Sequence, residues 1–224
     1  MDRLRELVEE FRRVVLSRPG VFDSALPPVA YLAIRATLGF NFALATALIL
    51  ALIVGGLRLR RAQPIWFALG GVLGVLLAAL LSRYTGSEAG YYLPGIASSG
   101  LSALLCLFSV LFRRPLVAWT SFAARRWPLA WYWHPKVRPA YSEVTLAWMA
   151  FFGLRTGLQY ALYQQDSGLL LASMNFISGW PAIVVLLALS YLYGNWRLRH
   201  LGGPSVDEFK QSAPPPWEGQ RRGF

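Results

Sequence analysis

Arg155, Gln159 and Tyr163 stand four residues apart within EVTLAWMAFFGLRTGLQYALY, an otherwise apolar stretch of this 224-residue chain. On a helix that spacing puts all three on one face. A guanidinium flanked by an amide and a phenol is equipped to hold an anion, because arginine geometry favours bidentate pairing with carboxylate or phosphate. Even lenient scales charge about 2.5–3.5 kcal/mol for an arginine at the centre of a bilayer. Arg155 follows Glu143 by twelve residues, about 18 Å along a helix axis, so it lies well inside such a segment and needs a partner.

The sequence offers few acids for that role. Asp23 precedes Pro27 and Pro28, whereas Glu88 and Asp166 fall in short polar stretches between apolar segments, as Arg35 falls within one. Three arrangements satisfy the two cations. Glu88 and Asp166 fold inward as structural counter-ions, carbonyls and amides solvate the guanidinium groups, or a bound anion does. The functional form of the last is a pocket for an anionic headgroup or solute lined by Arg35, Arg155, Gln159, Tyr163 and Asn175; its structural alternative is internal ion pairing with snorkelling.

Catalytic frames are missing from the sequence. It contains no HExxH, CxxC, P-loop, GxSxG or GxGxxG pattern, so neither a metal site nor an activated nucleophile has its usual setting. His134 and His200 sit in polar segments and offer no buried pair for haem. Ser98, Ser99 and Ser102 satisfy helix carbonyls more readily than they attack a substrate. The single cysteine, Cys106, permits no intramolecular disulfide. The expectation is a non-enzyme without metal or cofactor.

The elements that must position these residues are apolar runs over 25–40, 42–58, 65–82, 91–112, 143–163 and 168–193. Each approaches the roughly 20 residues needed to cross a bilayer. Backbone amides have no water to bond there, so the runs are predicted to be helices. The fold class expected is all-α, a polytopic bundle of six transmembrane helices.

Of 22 Lys and Arg residues, all but Arg35, Arg83 and Arg155 fall before the first run or at and beyond the ends of the even-numbered ones. That bias places both termini in the cytoplasm. It also accounts for the net charge of +11 through topology and anionic lipid, and nucleic acid is not an expected partner.

Residues 1–19 read as an amphipathic cytoplasmic or interfacial helix, with Leu4, Leu7, Val8, Phe11, Val14 and Val15 at helical spacing. Residues 20–200 form the transmembrane domain. Within it 115–140 is an interfacial segment, because Trp119, Trp127, Trp131, Tyr132 and Trp133 suit the headgroup level and Pro128 breaks any further span. The Pro-rich tail 201–224 is expected to be disordered. Gly179 and Pro181 predict a kink or break in the last span, which makes them a candidate hinge.

Small residues four apart let helices approach closely in lipid. The rows are Ala43, Ala47, Ala51 and Gly55; Gly70 and Gly74; Gly95, Ser99 and Ala103; and Gly153, Gly157 and Ala161. The last is offset by two residues from Arg155, Gln159 and Tyr163, so the expectation is that the glycine face of that helix packs while the polar face looks into a groove.

DSALPPVAYL at 23–32, RLRRAQP at 58–64, RYTGSEAGYYLPG at 83–95, SVLFRRPLV at 109–117, the segment 141–163 and SGWP at 178–181 together resemble the bacterial membrane family catalogued as domain of unknown function 3159. The resemblance implies a small multi-pass protein of the bacterial plasma membrane and attaches no role to Arg155, Gln159 or Tyr163. Residues 91–117 and 145–163 are more faintly similar to the intracellular septation protein A family, which implies work in the cell envelope or in division. The reading that results is a membrane protein acting through lipid and protein contacts, as a homo-oligomer or with other membrane proteins. A transporter or binding protein for an anionic solute or lipid is the alternative.

Overall fold

The computed structural model describes residues 33–35, 37–60, 65–220 and 223–224. The amphipathic helix expected over 1–19 lies outside the described residues, as does most of the run 25–40. Among the described residues every regular element is helical.

Three stretches are long and apolar enough to cross a membrane: Phe40–Leu57, Glu88–Leu111 and Gly168–Leu201. Their surfaces carry exposed Leu52, Leu101 and Ile177, and the neighbouring helices expose Leu80 and Leu154, the last at 67%. A soluble monomer does not display leucine on every long helix. These are the helices of a membrane protein.

The chain folds as two compact units. The first comprises the described residues up to Pro94 together with Leu162–Trp180. It holds helices α1 (Phe40–Arg60) and α2 (Ile65–Thr85), a 3-10 turn (Glu88–Tyr92), and, after the second unit has intervened, α7 (Gly168–Ile177). Helices α1 and α2 pack on one another, and both α2 and α7 touch the 3-10 turn. Ala43 and Gly55, the ends of the first small-residue row, are buried. A small core of Ala89, Tyr92, Leu171 and Ala172 collects Tyr91, Leu162 and Tyr163 around it.

The second unit comprises Gly95–Ala161 and Pro181–Phe224. It contains most of α3 (Leu93–Leu111), then α4 (Leu116–Arg125), α5 (Leu129–Tyr132), most of α6 (Arg138–Gln164), α8 (Trp180–Leu201) and α9 (Val206–Lys210). Its core is aromatic: Trp131, Tyr132 and Tyr141 are fully buried among Ala118, Val137, Val144, Leu198 and Phe224.

Two expectations change here. The described residues of the tail, 201–220 and 223–224, are folded onto the second unit. Ser205 caps α9 with a complete capping box, its hydroxyl accepting from the Glu208 N–H while the Glu208 carboxylate accepts from the Ser205 N–H. Farther on, Val206 N–H donates to the Gln220 side chain and the Phe224 ring stacks on Tyr141 at 4.4 Å. Proline content argues for disorder only when no apolar group can be buried, and here Trp217 and Phe224 supply such groups.

The second change concerns α6. Its inward stripe is Tyr141, Thr145, Trp148, Phe152, Thr156, Gln159 and Tyr163, a spacing of three and four. Gln159 is therefore buried and Arg155 half-buried, while Gly153, Gly157 and Ala161 are exposed. A side chain added at Gly153 or Gly157 would meet nothing within 4 Å. The glycine row does not pack within the second unit, because the aromatic and polar stripe occupies the inner face.

The apolar run from Gly168 is interrupted. Helix α7 ends at Ile177 and α8 begins at Trp180. Pro181 stands in the first turn of α8, where its missing N–H forfeits no helix bond. At Gly179 a Cβ would lie 2.7 Å from the Asn175 carbonyl oxygen, so only glycine closes that turn.

Candidate functional site

The first unit gathers its charges at the turn between α2 and α3. Ser87 caps the 3-10 turn by accepting from the Ala89 N–H, which orients Glu88 in the first turn. Gly90 sits close enough to α2 that a Cβ would lie 3.0 Å from the Leu81 carbonyl oxygen. Held this way, the Glu88 carboxylate accepts a hydrogen bond from the Arg35 guanidinium in an ion pair. The Ser87 hydroxyl donates to the Asp166 carboxylate. Glu88 also lies against Gly168 at the start of α7, where a side chain would crowd it.

Of the five residues expected to line an anion pocket, Arg35, Tyr163 and Asn175 belong to the first unit and Arg155 and Gln159 to the second. Arg35 is neutralised by Glu88, the counter-ion arrangement among the three that the sequence leaves open. Asp166 instead faces a serine hydroxyl. Tyr163 packs on the Ala89–Tyr92–Leu171 core. The Asn175 amide donates to the Leu171 carbonyl one turn earlier, a bond within its own helix. Arg155, half-buried, stands one turn before the buried Gln159 on α6, at the border of the inner stripe.

The second unit holds a site that sequence reasoning missed. Trp131 donates its indole N–H to the Pro204 carbonyl at 2.9 Å, tying the chain after α8 to the aromatic core. His134 meets the Phe209 and Trp217 rings edge to face, and Lys136 lies over Trp217. Gly194 on α8 leaves room for the Phe224 ring, which any side chain there would strike. Glu143 receives a bidentate pair from Arg197 and a hydrogen bond from the Tyr193 hydroxyl. The signal for this folded tail was in the sequence as Ser205-Val-Asp-Glu208, the pattern of a capping box.

Charge makes the tail sensitive to acid. Backbone N–H groups of Ser205 and Glu218 donate to the Glu208 carboxylate and hold it down at about 2, from an ordinary 4.5. A carboxyl depressed by folding lends stability above its ordinary value and loses it as pH falls toward the folded one. Burial, and then the Lys136 charge, lower His134 as well, so its protonation below the ordinary histidine range also works against the docked tail. The expected outcome is that the protection of residues 205–220 against hydrogen exchange, taken relative to the intrinsic rate at each pH, is high at pH 7 and falls with acidification, most steeply between 4.5 and 2. Glu208→Gln should remove that steep step, and an unchanged acid profile in the variant would refute the assignment.

Among the described residues no group of three or more His, Cys, Asp or Glu side chains is placed to hold a metal ion. Both paired carboxylates, Glu88 and Glu143, are engaged by arginine.

No curated protein and no solved structure matches the chain. The profile described as Protein of unknown function (DUF3159) matches residues 17–198. With most of its length covered, apolar spans included, the chain belongs to the DUF3159 family.

Proposed function

We propose that this is a six-span protein of the bacterial plasma membrane, with both termini cytoplasmic, that serves cell-envelope maintenance or division through protein and lipid contacts and not through catalysis. One observation carries the reading. In the first unit Arg35 pairs with Glu88 and Asp166 accepts from the Ser87 hydroxyl, while α6 presents a bare face of Gly153, Leu154, Gly157, Leu158 and Ala161. Charge that is paired within its own unit and a small-residue face left open on α6 each suit association in lipid. The faint likeness to the septation protein A family agrees with an envelope role but rests on analogy.

The test combines topology with capture. In a Cys106→Ser background, single cysteines at Gly86 and Gln165 should react with an impermeant maleimide on intact cells. Cysteines at Pro135 and Ser212 should react only after permeabilisation. Photoreactive residues at Leu154 and Leu158 should then crosslink to a second copy or to another membrane protein. External labelling at Ser212 overturns the topology, and crosslinks to lipid alone overturn the protein-contact role of this face.

Burial of Gln159 one turn after Arg155 favours a second reading, in which α6 binds or passes an anion. Flux of an organic anion into proteoliposomes, lost on Arg155→Leu with folding retained, would establish it. Equal flux in the variant would discard it.

A further inference from the structure

We infer that the segment around α4 is a binding surface for the phosphate groups of anionic phospholipids, built on arginines stacked against tryptophan. The inference deepens the contact reading above by naming the lipid class, and it rests on the cytoplasmic placement of this segment.

Helix α4 has ten residues, about 15 Å of axis. Arg113 and Arg114 precede it, and Arg125 and Arg126 end it. The chain turns sharply at both ends. Arg113 and Arg126 adopt left-handed backbone at φ 56° and 57°, and the Arg126 N–H closes on the Phe122 carbonyl. Non-glycine residues rarely take that conformation without a structural reason. Here it brings each arginine pair out at a helix end. All four arginines are exposed.

Two of them are oriented in advance. The Arg114 guanidinium lies over the Trp133 ring at 4.4 Å and that of Arg125 over Trp127 at 4.9 Å. Stacking uses the face of the cation and leaves the N–H edge of Arg114, the edge that pairs with phosphate oxygens, uncovered by the ring, whereas the Arg125 guanidinium also lies close to Gly223 of the tail. Rotamer freedom lost in stacking need not be lost again on binding. No Asp or Glu occurs anywhere from 89 to 142, so no acid from this segment competes with a phosphate.

The occupant is a lipid surface and not an acidic peptide, because of what stands beside the charge. Trp119 is 42% exposed and Phe112 74%. Thr120, Ala123 and Ala124 complete the open side of α4, while Ala118 and Phe122 turn inward. An aromatic ring beside cations, on a short amphipathic helix, suits the boundary between headgroup and acyl chain. Losing both stacked donors, whose hydrogen bonds to a charged group are the strong kind, should weaken retention at least about 10-fold.

The experiment is native mass spectrometry of the full chain, released from micelles containing equal phosphatidylglycerol and phosphatidylcholine. The parent should retain phosphatidylglycerol selectively. R114A/R125A should lose most of that retention, and R114K/R125K, which keeps charge but not the flat stacked donor, should lie between them. The control R199A/K210A removes the same charge elsewhere on the cytoplasmic side and should match the parent. Equal loss in the control would mean diffuse charge and overturn the site. Full retention in R114A/R125A, no lipid selectivity in the parent, or displacement of the lipid by inorganic phosphate would overturn it too. The topology and crosslinking results stand apart from any of these, so failure here is distinguishable from failure of the contact reading.

Discussion

Replacing Trp131 by alanine should cost about 3–5 kcal/mol, the usual penalty for emptying a buried aromatic site, and should free the tail. The ring is fully buried. It meets Tyr132 at 5.1 Å, Trp127 at 5.4 Å and Tyr141 at 6.2 Å, each at a steep angle. Its indole N–H is the donor to the Pro204 carbonyl. Alanine leaves both a cavity and a buried carbonyl without its partner, and the second adds about 1–3 kcal/mol where water cannot enter. Trp131→Phe separates the two, because it retains most of the packing and loses only the donor. The readout is limited trypsin digestion in mild detergent, followed at Lys210. Parent protein should resist cleavage there, the phenylalanine variant should be cut slowly, and the alanine variant quickly. If the alanine variant resists as well as the parent, the aromatic core does not hold the tail.

The helices were legible because their cause is local. Apolar length and the absence of strand alternation define a membrane helix without reference to neighbours. The expected run 42–58 corresponds to α1 at Phe40–Arg60, 65–82 to α2 at Ile65–Thr85, and 91–112 to α3 at Leu93–Leu111. What depends on neighbours was not legible. The two faces of α6 were visible, yet a row of glycines serves a protein neighbour and a lipid surface equally, so composition alone could not orient the helix. Glu88 was one of three ways to satisfy Arg35, and choosing it required the turn that swings the carboxylate into place. The folded tail was hidden for another reason. Its proline content outweighed the capping box and the two aromatic rings, of which Phe224 depends on a socket made by Gly194 and Tyr141 and Trp217 on His134 and Lys136, all far away in sequence.

That same turn underlies the second large effect expected. Gly90→Val should destabilise the first unit by about 3 kcal/mol, at the upper end for forcing extra atoms into a packed site. A Cβ at Gly90 would run into the Thr85 hydroxyl and lie 3.0 Å from the Leu81 carbonyl oxygen and 3.1 Å from the Ser82 Cα. The hydroxyl belongs to a side chain and can move; the other two atoms are helix backbone and cannot. Thr85→Ala in the same chain should therefore restore little of the loss. Relief of the clash requires the 3-10 turn to lift from α2, and Glu88 leaves Arg35 when it does. The half-buried cation then lacks its counter-charge, which is the costly way to break an ion pair. The comparison is Gly153→Ala, a helical glycine with open space around it, which should leave stability equal or raised by up to about 1 kcal/mol. Heating both variants in detergent and measuring the monodisperse fraction decides the matter. Equal melting of the two would mean that the Gly90 contact does not seat the turn, and that Glu88 reaches Arg35 by some other constraint.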